Sequence, residues 1–138
     1  MRVALATCVE LPEPDPDQEL LLAALREANV RAEMIAWDDP TADLAGFDLC
    51  VLRSTWNYYT APNAFLSWVE RAARTTQLLN PIDVIRWNLH KGYLRDLDAR
   101  GVPIVPTAWI SRGADVQFQS ILDRNGWSQV VIKPAVSA

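Results

Sequence analysis

Short apolar runs alternate with amphipathic stretches over the first part of the chain. Four runs have the length and the aliphatic or β-branched character of buried strands, and they span residues 3–8, 31–37, 47–52 and 77–79. Two stretches between them have apolar residues at helical spacing: residues 20–28, after a predicted N-cap at Asp17, and residues 63–76. This order of elements predicts an α/β fold with a parallel sheet and right-handed crossovers.

The remaining residues predict a smaller and less regular unit. We expect one helix near residues 89–101, ended by Gly101, and another over residues 114–124. Residues 102–110 predict an extended segment leading into a strand, and the apolar run at residues 130–132 predicts a last, buried strand. With a boundary expected near residues 81–88, the chain divides into a domain over residues 1–83 and an incomplete one over residues 84–138.

The composition is ordinary for a globular protein, since half of the 138 residues are hydrophobic and 22% are charged. The net charge of −4 argues against a nucleic-acid partner, because binding to phosphates needs a basic face. No apolar run approaches the length of a membrane span, and the N-terminus lacks the features of a signal peptide. We therefore expect a cytoplasmic protein with no membrane partner.

The residues that most often carry catalysis or bind metals are scarce. Cys8 and Cys50 end apolar runs, which predicts two buried thiols, and His90 is the one histidine of the sequence. None of them belongs to a cluster with metal-ligand spacing or to a pair that suggests nucleophilic catalysis. The sequence therefore predicts no metal site.

An arginine follows the third predicted strand and opens a stretch rich in directional polar groups. Arg53 offers a planar fork suited to a carboxylate or a phosphate, at the sheet edge where ligands bind in parallel α/β folds. Two hydroxyls, an amide and aromatic rings follow it. We expect a small-molecule pocket formed by Arg53, Ser54, Trp56, Asn57 and Tyr58.

The loop after the first strand offers a different partner for this arginine. Its four carboxylates, on Glu10, Glu13, Asp15 and Asp17, favour a solvated loop with helix capping over a catalytic group. Arg53 could pair with this loop instead of binding a ligand, or do both.

An acidic residue also follows the second predicted strand. Asp38 and Asp39 stand where an acid can hold a ribose in dinucleotide-binding folds. However, the loop after the first strand lacks the glycine fingerprint, so we exclude a dinucleotide site.

The second part of the chain contains two lysines in recognisable settings. The order Asn88-x-x-Lys91, then GVPIVPT at residues 101–107, then VVIKP at residues 130–134, resembles the start of the ATP-grasp domain in carboxylate–amine ligases of the glutathione synthetase type. The preceding part, with RSTWNYY at residues 53–59, resembles the α/β domain that comes before ATP-grasp in that superfamily. It is most similar to the branch that contains the cycloserine-forming ligases.

The resemblance implies roles for several residues. Lys91 and Lys133 match the two lysines that reach the phosphates of ATP, and the stretch from Arg53 to Tyr58 matches the one that faces the acceptor substrate. In such ligases a substrate carboxylate attacks the γ-phosphate, an acyl phosphate forms and an amine displaces phosphate. ATP and Mg²⁺ are the implied cofactors of the full-length parent, and a small amino-acid-like molecule is the implied substrate.

The chain departs from that pattern after Lys133. The phosphate loop, the adenine-binding linker and the magnesium ligands of the family are not present before Ala138. We therefore expect a fragment without catalytic residues of its own, inactive alone and without a tightly bound cofactor. Its expected partners are the remaining C-terminal ATP-grasp half or, through the apolar surface that an incomplete domain exposes, a second copy in a homodimer.

Two other classes of protein share parts of this pattern. A lysine and proline after the last strand are also typical of phosphoacceptor signalling domains, but here the third strand ends in Arg53 and Ser54 where those need an aspartate. We therefore exclude that class. A non-catalytic α/β module that binds a small molecule or a partner stays open, although such a module has no use for Lys91 and Lys133.

Overall fold

The computed structural model describes residues 1–137, and the chain divides into two compact units. The first comprises residues 1–90 together with Val136 and Ser137, and the second comprises residues 91–135. None of the described helices is both long enough and apolar enough to cross a membrane.

A four-stranded parallel sheet forms the centre of the first unit. Its strands are β1 (Arg2–Thr7), β2 (Arg31–Ala36), β3 (Leu49–Ser54) and β4 (Gln77–Leu79), in the order β2-β1-β3-β4. Helix α1 (Gln18–Glu27) joins β1 to β2, and helix α2 (Pro62–Thr75) joins β3 to β4. The predicted α/β fold with a parallel sheet is confirmed.

The core of this unit lies between the sheet and α2. Residues 3–7 of β1 are all buried, because the strand has a neighbour on each side. The buried face of α2 has the helical spacing expected from the sequence and carries Phe65, Trp68, Val69 and Ala72. Cys50 of β3 is fully buried in the same core, and burial raises the pKa of its thiol to about 11.

Strand β3 is displaced from its predicted position. It begins at Leu49 and continues to Ser54, so that Arg53 lies within the strand and not after it. A register shift between Ala6 and Thr7 brings Thr7 opposite Ser54. This irregularity lies at the carboxyl ends of the two inner strands, where it changes the direction of the side chains that follow.

A helix that was not predicted belongs to the first unit, so the boundary between the two units lies after it. Helix α3 (Ile82–Asn88) packs on α2, with Ile85 buried and with Arg86 bonded to Glu70 at 2.7 Å. Because these contacts attach α3 to the sheet domain, the first unit extends to His90 and not to residue 83.

The second unit contains two short helices, α4 (Tyr93–Ala99) and α5 (Phe118–Asn125). Helix α5 ends at Gly126, whose φ of 67° is left-handed, as expected for a glycine that stops a helix. The Arg95 guanidinium lies over the ring of Trp109 at 4.5 Å.

The two strands predicted for this unit do not form among residues 91–135. Residues 102–110 and 130–132 lack strand pairing, and Val131 and Ile132 are 79% and 75% exposed. An apolar β-branched run becomes a buried strand only where a neighbouring strand accepts its backbone hydrogen bonds, and the described residues supply none. The prediction of a buried last strand ending at Lys133 is therefore wrong for this chain.

Candidate functional site

The polar residues of the first unit gather at the carboxyl ends of β1 and β3. The sheet order places the topological switch point between these strands, because β2 lies on one side of them and β4 on the other. In parallel α/β sheets, the crevice at such a point is where ligands bind. The loops that follow β1 and β3 border it here.

Buried hydroxyl and thiol groups tie the ends of the two strands together. Ser54 is fully buried, and its hydroxyl donates to Oγ1 of Thr7 at 3.0 Å. The Cys8 thiol lies 3.4 Å from the Ser54 carbonyl oxygen and 3.3 Å from that of Glu10. Ser54 thus supports the floor of the crevice in this conformation and does not face solvent, although the sequence suggested it for substrate binding.

Arg53 links the two loops through an ion pair. Its Nη2 donates to Oδ1 of Asp15 at 2.8 Å and lies 3.7 Å from Oδ2 of Asp17. The Asp15 side chain is only 2% exposed, whereas that of Arg53 is 27% exposed. The interpretation of Arg53 as a partner of the acidic loop is confirmed, and with two carboxylates beside one guanidinium the local charge is negative.

The Asp15 carboxylate also has an oxygen atom whose hydrogen-bonding capacity is unused. Within the described residues, 1–137, its Oδ2 atom is buried and has no hydrogen-bond partner. Its Oδ1 atom also accepts the backbone N–H of Asp17 at 3.1 Å, while Asp17, at the start of α1, makes no capping bond with its own side chain. Asp17 thus occupies the predicted N-cap position but makes no side-chain capping bond, and the carboxylate that accepts a backbone N–H in this loop is that of Asp15.

A second carboxylate holds the other side of the crevice. Asp38, after β2, accepts the backbone N–H of Val9 at 2.8 Å and the side-chain amide of Asn57 at 2.6 Å. Asn57 in turn accepts the indole N–H of Trp37 at 2.6 Å. Both ends of the Asn57 amide are thus bonded to the protein, and the network connects the loops after β1, β2 and β3.

The aromatic residues of the third loop pack towards α2. Tyr58 opens a short 3-10 turn at Tyr58–Thr60, and its ring lies 5.5 Å from that of Phe65. Its hydroxyl donates to the carbonyl oxygen of Ser137 at 2.7 Å. Trp56 is half-buried in the same loop.

The two lysines expected at a nucleotide come together in the second unit. Burial, and then the charge of Lys133, lower the pKa of Lys91. The backbone N–H of Lys91 donates to the carbonyl oxygen of Ala135 at 2.7 Å. These are the two lysines of a sequence that otherwise uses eleven arginines for positive charge.

The small number of lysines relative to arginines is a feature of the sequence from which no prediction was made. Lysine presents a compact point charge on a flexible arm, whereas arginine presents a planar fork, so the two lysines of an arginine-rich sequence stand out. The roles of Asp15 and Asp38 were also missed. Their position after the first two strands pointed to the crevice, but four acids in one loop gave no means of choosing among them.

A groove of about 680 Å³ lies elsewhere in the first unit. Its walls are the connection from β2 to β3 and the flank of α2, with Trp37, Asp38 and Arg71 among the lining residues. Neither Arg53 nor the two lysines line it. The groove touches the polar network through Trp37 and Asp38 but not through Arg53, Asp15 or Asn57, so we do not assign the site to it.

The fold and the polar cluster together define a parallel α/β domain of the kind that binds small molecules at a switch point. Residues 3–80, more than half of the chain, match the family of the D-cycloserine synthetase DcsG N-terminal domain, and the chain belongs to that family. This result agrees with the resemblance to cycloserine-forming ligases.

Individual relatives support the same assignment. The cycloserine biosynthesis protein DcsG of Streptomyces lavendulae is 40% identical over 114 residues, which cover 82% of this chain and 38% of that protein. The crystal structure of D-cycloserine synthetase DcsG matches with a TM-score of 0.86 at 33% identity, covering the whole of this chain and 48% of that one. The chain thus spans less than half of the length of these relatives.

Proposed function

We propose that this chain is the N-terminal part of an ATP-dependent carboxylate–amine or cyclising ligase. In this proposal the parent enzyme activates a small amino-acid-like substrate as an acyl phosphate, and the 138-residue chain does not catalyse the reaction alone. Membership of the DcsG N-terminal family and a fold match that covers 48% of a longer relative support it.

The juxtaposition of Lys91 and Lys133 is the observation that carries the proposal. The backbone bond from Lys91 to Ala135 joins the two segments that carry these lysines, and the charge of Lys133 lowers the pKa of Lys91. An anion that neutralises both charges would therefore bind favourably. A polyphosphate fits this donor set, because each lysine is a point charge on a flexible arm. ATP supplies the phosphoryl group that activates the carboxylate, while the lysines hold and neutralise its phosphates.

Magnesium fits the described residues less well. They contain no group of three or more His, Cys, Asp or Glu side chains placed to hold a metal ion. The proposed Mg²⁺ would therefore depend on the phosphates and on ligands beyond this chain.

The crevice of the first unit supplies the acceptor side of the proposal. An amino-acid-like substrate carries both signs of charge, and the cluster offers the Arg53 guanidinium next to the Asp15 and Asp17 carboxylates. Because negative charge is in excess there, we assign the substrate's ammonium group to the acidic side. Trp56, which is half-buried in the same loop, supplies the apolar wall.

A non-catalytic small-molecule-binding module is the second candidate function. It is favoured by one observation: the bonds among Arg53, Asp15, Asn57 and Asp38 are all formed within the first unit and need no residue from 91–135. Such a module would bind an amino-acid-like ligand and ignore nucleotides.

The test begins with the intact mass of the natural gene product, because the ligase proposal requires a chain about as long as the relatives. In that product we expect ATP-dependent phosphate release that Lys133→Ala reduces by at least tenfold and Lys133→Arg reduces less, since arginine keeps the charge. Arg124→Ala, in the last turn of α5, is the matched control for loss of one exposed cation. Phosphate release that is absent, or equal in all variants, would refute the proposal.

A further inference from the structure

The solvent exposure of the chain falls abruptly in the segment that follows Lys133. Residues 130–135 are all exposed, whereas Val136 and Ser137 are half-buried and belong to the first unit. Two backbone carbonyls on either side of this change are held by hydrogen bonds: that of Ala135 by the Lys91 N–H and that of Ser137 by the Tyr58 hydroxyl, each at 2.7 Å.

The donor at the Ser137 end is rigidly placed. The Tyr58 ring packs against Phe65, which is 2% exposed and is itself in edge contact with Trp37 at 5.2 Å. The Tyr58 backbone is fixed as well, since its N–H donates to the Thr55 carbonyl oxygen at 3.1 Å. A hydroxyl held by core packing is preorganised as a donor, so its bond costs little conformational entropy.

We propose that Tyr58 is a positioning residue that fixes the end of the Lys133 segment, and not a residue that contacts the acceptor substrate. Its hydroxyl holds the backbone four residues beyond Lys133, while Lys91 holds it two residues beyond. The consequence for nucleotide binding rests on the proposed function, but the positioning role does not.

The consequence for the ligase follows from this geometry. If Lys133 binds phosphate, loosening the segment after it weakens the affinity for ATP and leaves the acceptor site intact. A substrate contact through Tyr58 would give the reverse pattern, with a raised KM for the acceptor. The ratio of the two KM changes therefore separates the two roles.

Tyr58→Phe is the appropriate variant because it keeps the ring against Phe65 and removes only the hydroxyl. Tyr59→Phe is a matched control, since Tyr59 is the next residue in the same turn, makes ring contact with Tyr58 and is 45% exposed. Far-UV circular dichroism and the exchange of β1 amides report whether either variant disturbs the fold.

Amide hydrogen exchange on the 138-residue chain tests the positioning role without any enzyme activity. We expect Tyr58→Phe to speed exchange of the Lys91 amide, whose acceptor is the Ala135 carbonyl, by about two- to tenfold, because loosening the segment weakens that bond. Protection of β1 and β3 should be unchanged, and Tyr59→Phe should match the parent chain throughout.

Other results would overturn the inference. Equal exchange of the Lys91 amide in both variants would show that the Tyr58 hydroxyl does not hold the segment. Faster exchange that extends into β1 and β3 would show that Tyr58 only supports the core. In a complete ligase, a raised KM for the acceptor with an unchanged KM for ATP would restore the substrate-contact role, whereas inactivity of every form would count against the proposed function and not against positioning.

Discussion

Arg53 and Asp15 form an ion pair whose two partners have very different access to water. The Asp15 carboxylate is almost completely buried, while about a quarter of the Arg53 side chain is exposed. Removing Arg53 leaves a buried carboxylate without an ion-pair partner, whereas removing Asp15 leaves an arginine that keeps Asp17 nearby and that water can hydrate. The energetic cost should therefore depend on which residue is replaced.

We expect Arg53→Ala to lower the free energy of unfolding by about 2–4 kcal/mol, because it leaves a buried charge without a partner. Asp15→Asn should cost about 1–2 kcal/mol, because Arg53 keeps Asp17 nearby and can reach solvent. Urea unfolding measures both. The double variant should be more stable than Arg53→Ala alone, and a double variant that shows the sum of the two losses would contradict a buried pair.

The reactivity of Lys91 gives a second prediction at this scale. Its pKa lies below the ordinary value of 10.5, first because of burial and then because of Lys133. A larger fraction of its amine is therefore neutral at mildly alkaline pH, and only the neutral amine is acylated. Lys133→Ala removes one cause, so the pKa of Lys91 should rise and its acylation at pH 9 should slow.

Lys133→Arg is the matched control, since it keeps the positive charge and should leave Lys91 as reactive as in the parent chain. Mass spectrometry after limited acylation resolves the result easily, because Lys91, Lys133 and the N-terminus are the three amines of the sequence. Added salt should reduce the difference between variants by screening. An unchanged or faster rate in Lys133→Ala would show that the two lysines do not interact.

Individual site residues could be predicted from the sequence only where a strand end made them conspicuous. Arg53 was identified because a charge beside an apolar run has few structural explanations. Its actual partner could not be chosen from Glu10, Glu13, Asp15 and Asp17, because burial differs among them only after the loop folds. Ser54 and Asn57 were expected to face a ligand, yet the structure commits their polar groups to Thr7, Trp37 and Asp38.

At the scale of elements, α2 holds the first unit together. It places Phe65, Trp68, Val69 and Ala72 against the sheet, and the Phe65 ring contacts Trp37, Tyr58 and Trp68. The loops after β2 and β3 therefore depend on this helix for their positions, since Trp37 and Tyr58 belong to them.

Phe65→Ala should lower the free energy of unfolding by about 3–5 kcal/mol, because it opens a cavity under both loops. Arg74→Ala, in the exposed last turn of the same helix, should change it by less than about 0.5 kcal/mol. Denaturant midpoints measure both variants. A similar effect of the two would mean that α2 contributes through its helical propensity and not through its buried face.

Elements were predicted well where packing and periodicity agree. The four strands of the first unit, α1 and α2 follow from apolar spacing, because each has a partner within residues 1–80. The run at residues 130–132 is equally rich in β-branched residues, but no strand among the described residues pairs with it. Helix α3 was missed because its seven residues are too short to show a helical period.

At the scale of the whole molecule, the two units differ in how well they cover their apolar residues. The first unit has a continuous buried core, whereas Val105, Val131 and Ile132 in the second are at least 75% exposed. Exposed apolar runs with unpaired backbone are sites of association. The expected homodimer, or a complex with the remaining C-terminal half, would cover this surface.

We expect the 138-residue chain to associate as its concentration rises, with residues 130–132 in the interface. Analytical ultracentrifugation should show a concentration-dependent mass, and the double variant Val131→Asp with Ile132→Asp should remain monomeric. Leu20→Asp, on the exposed surface of α1, is the control for the added charge and should still associate. A parent chain that is monomeric at every loading concentration would contradict the prediction.

The bond between Tyr58 and Ser137 also has a consequence for the order of events on the ribosome. The strands of the first unit and α3 are translated before the second unit begins, and N-terminal units generally fold first during synthesis. The Tyr58 hydroxyl is therefore in place, held by its packing on Phe65, long before its acceptor has been translated. The backbone after Lys133 is thus the last part of the described chain to dock, and it docks onto a template that has already folded.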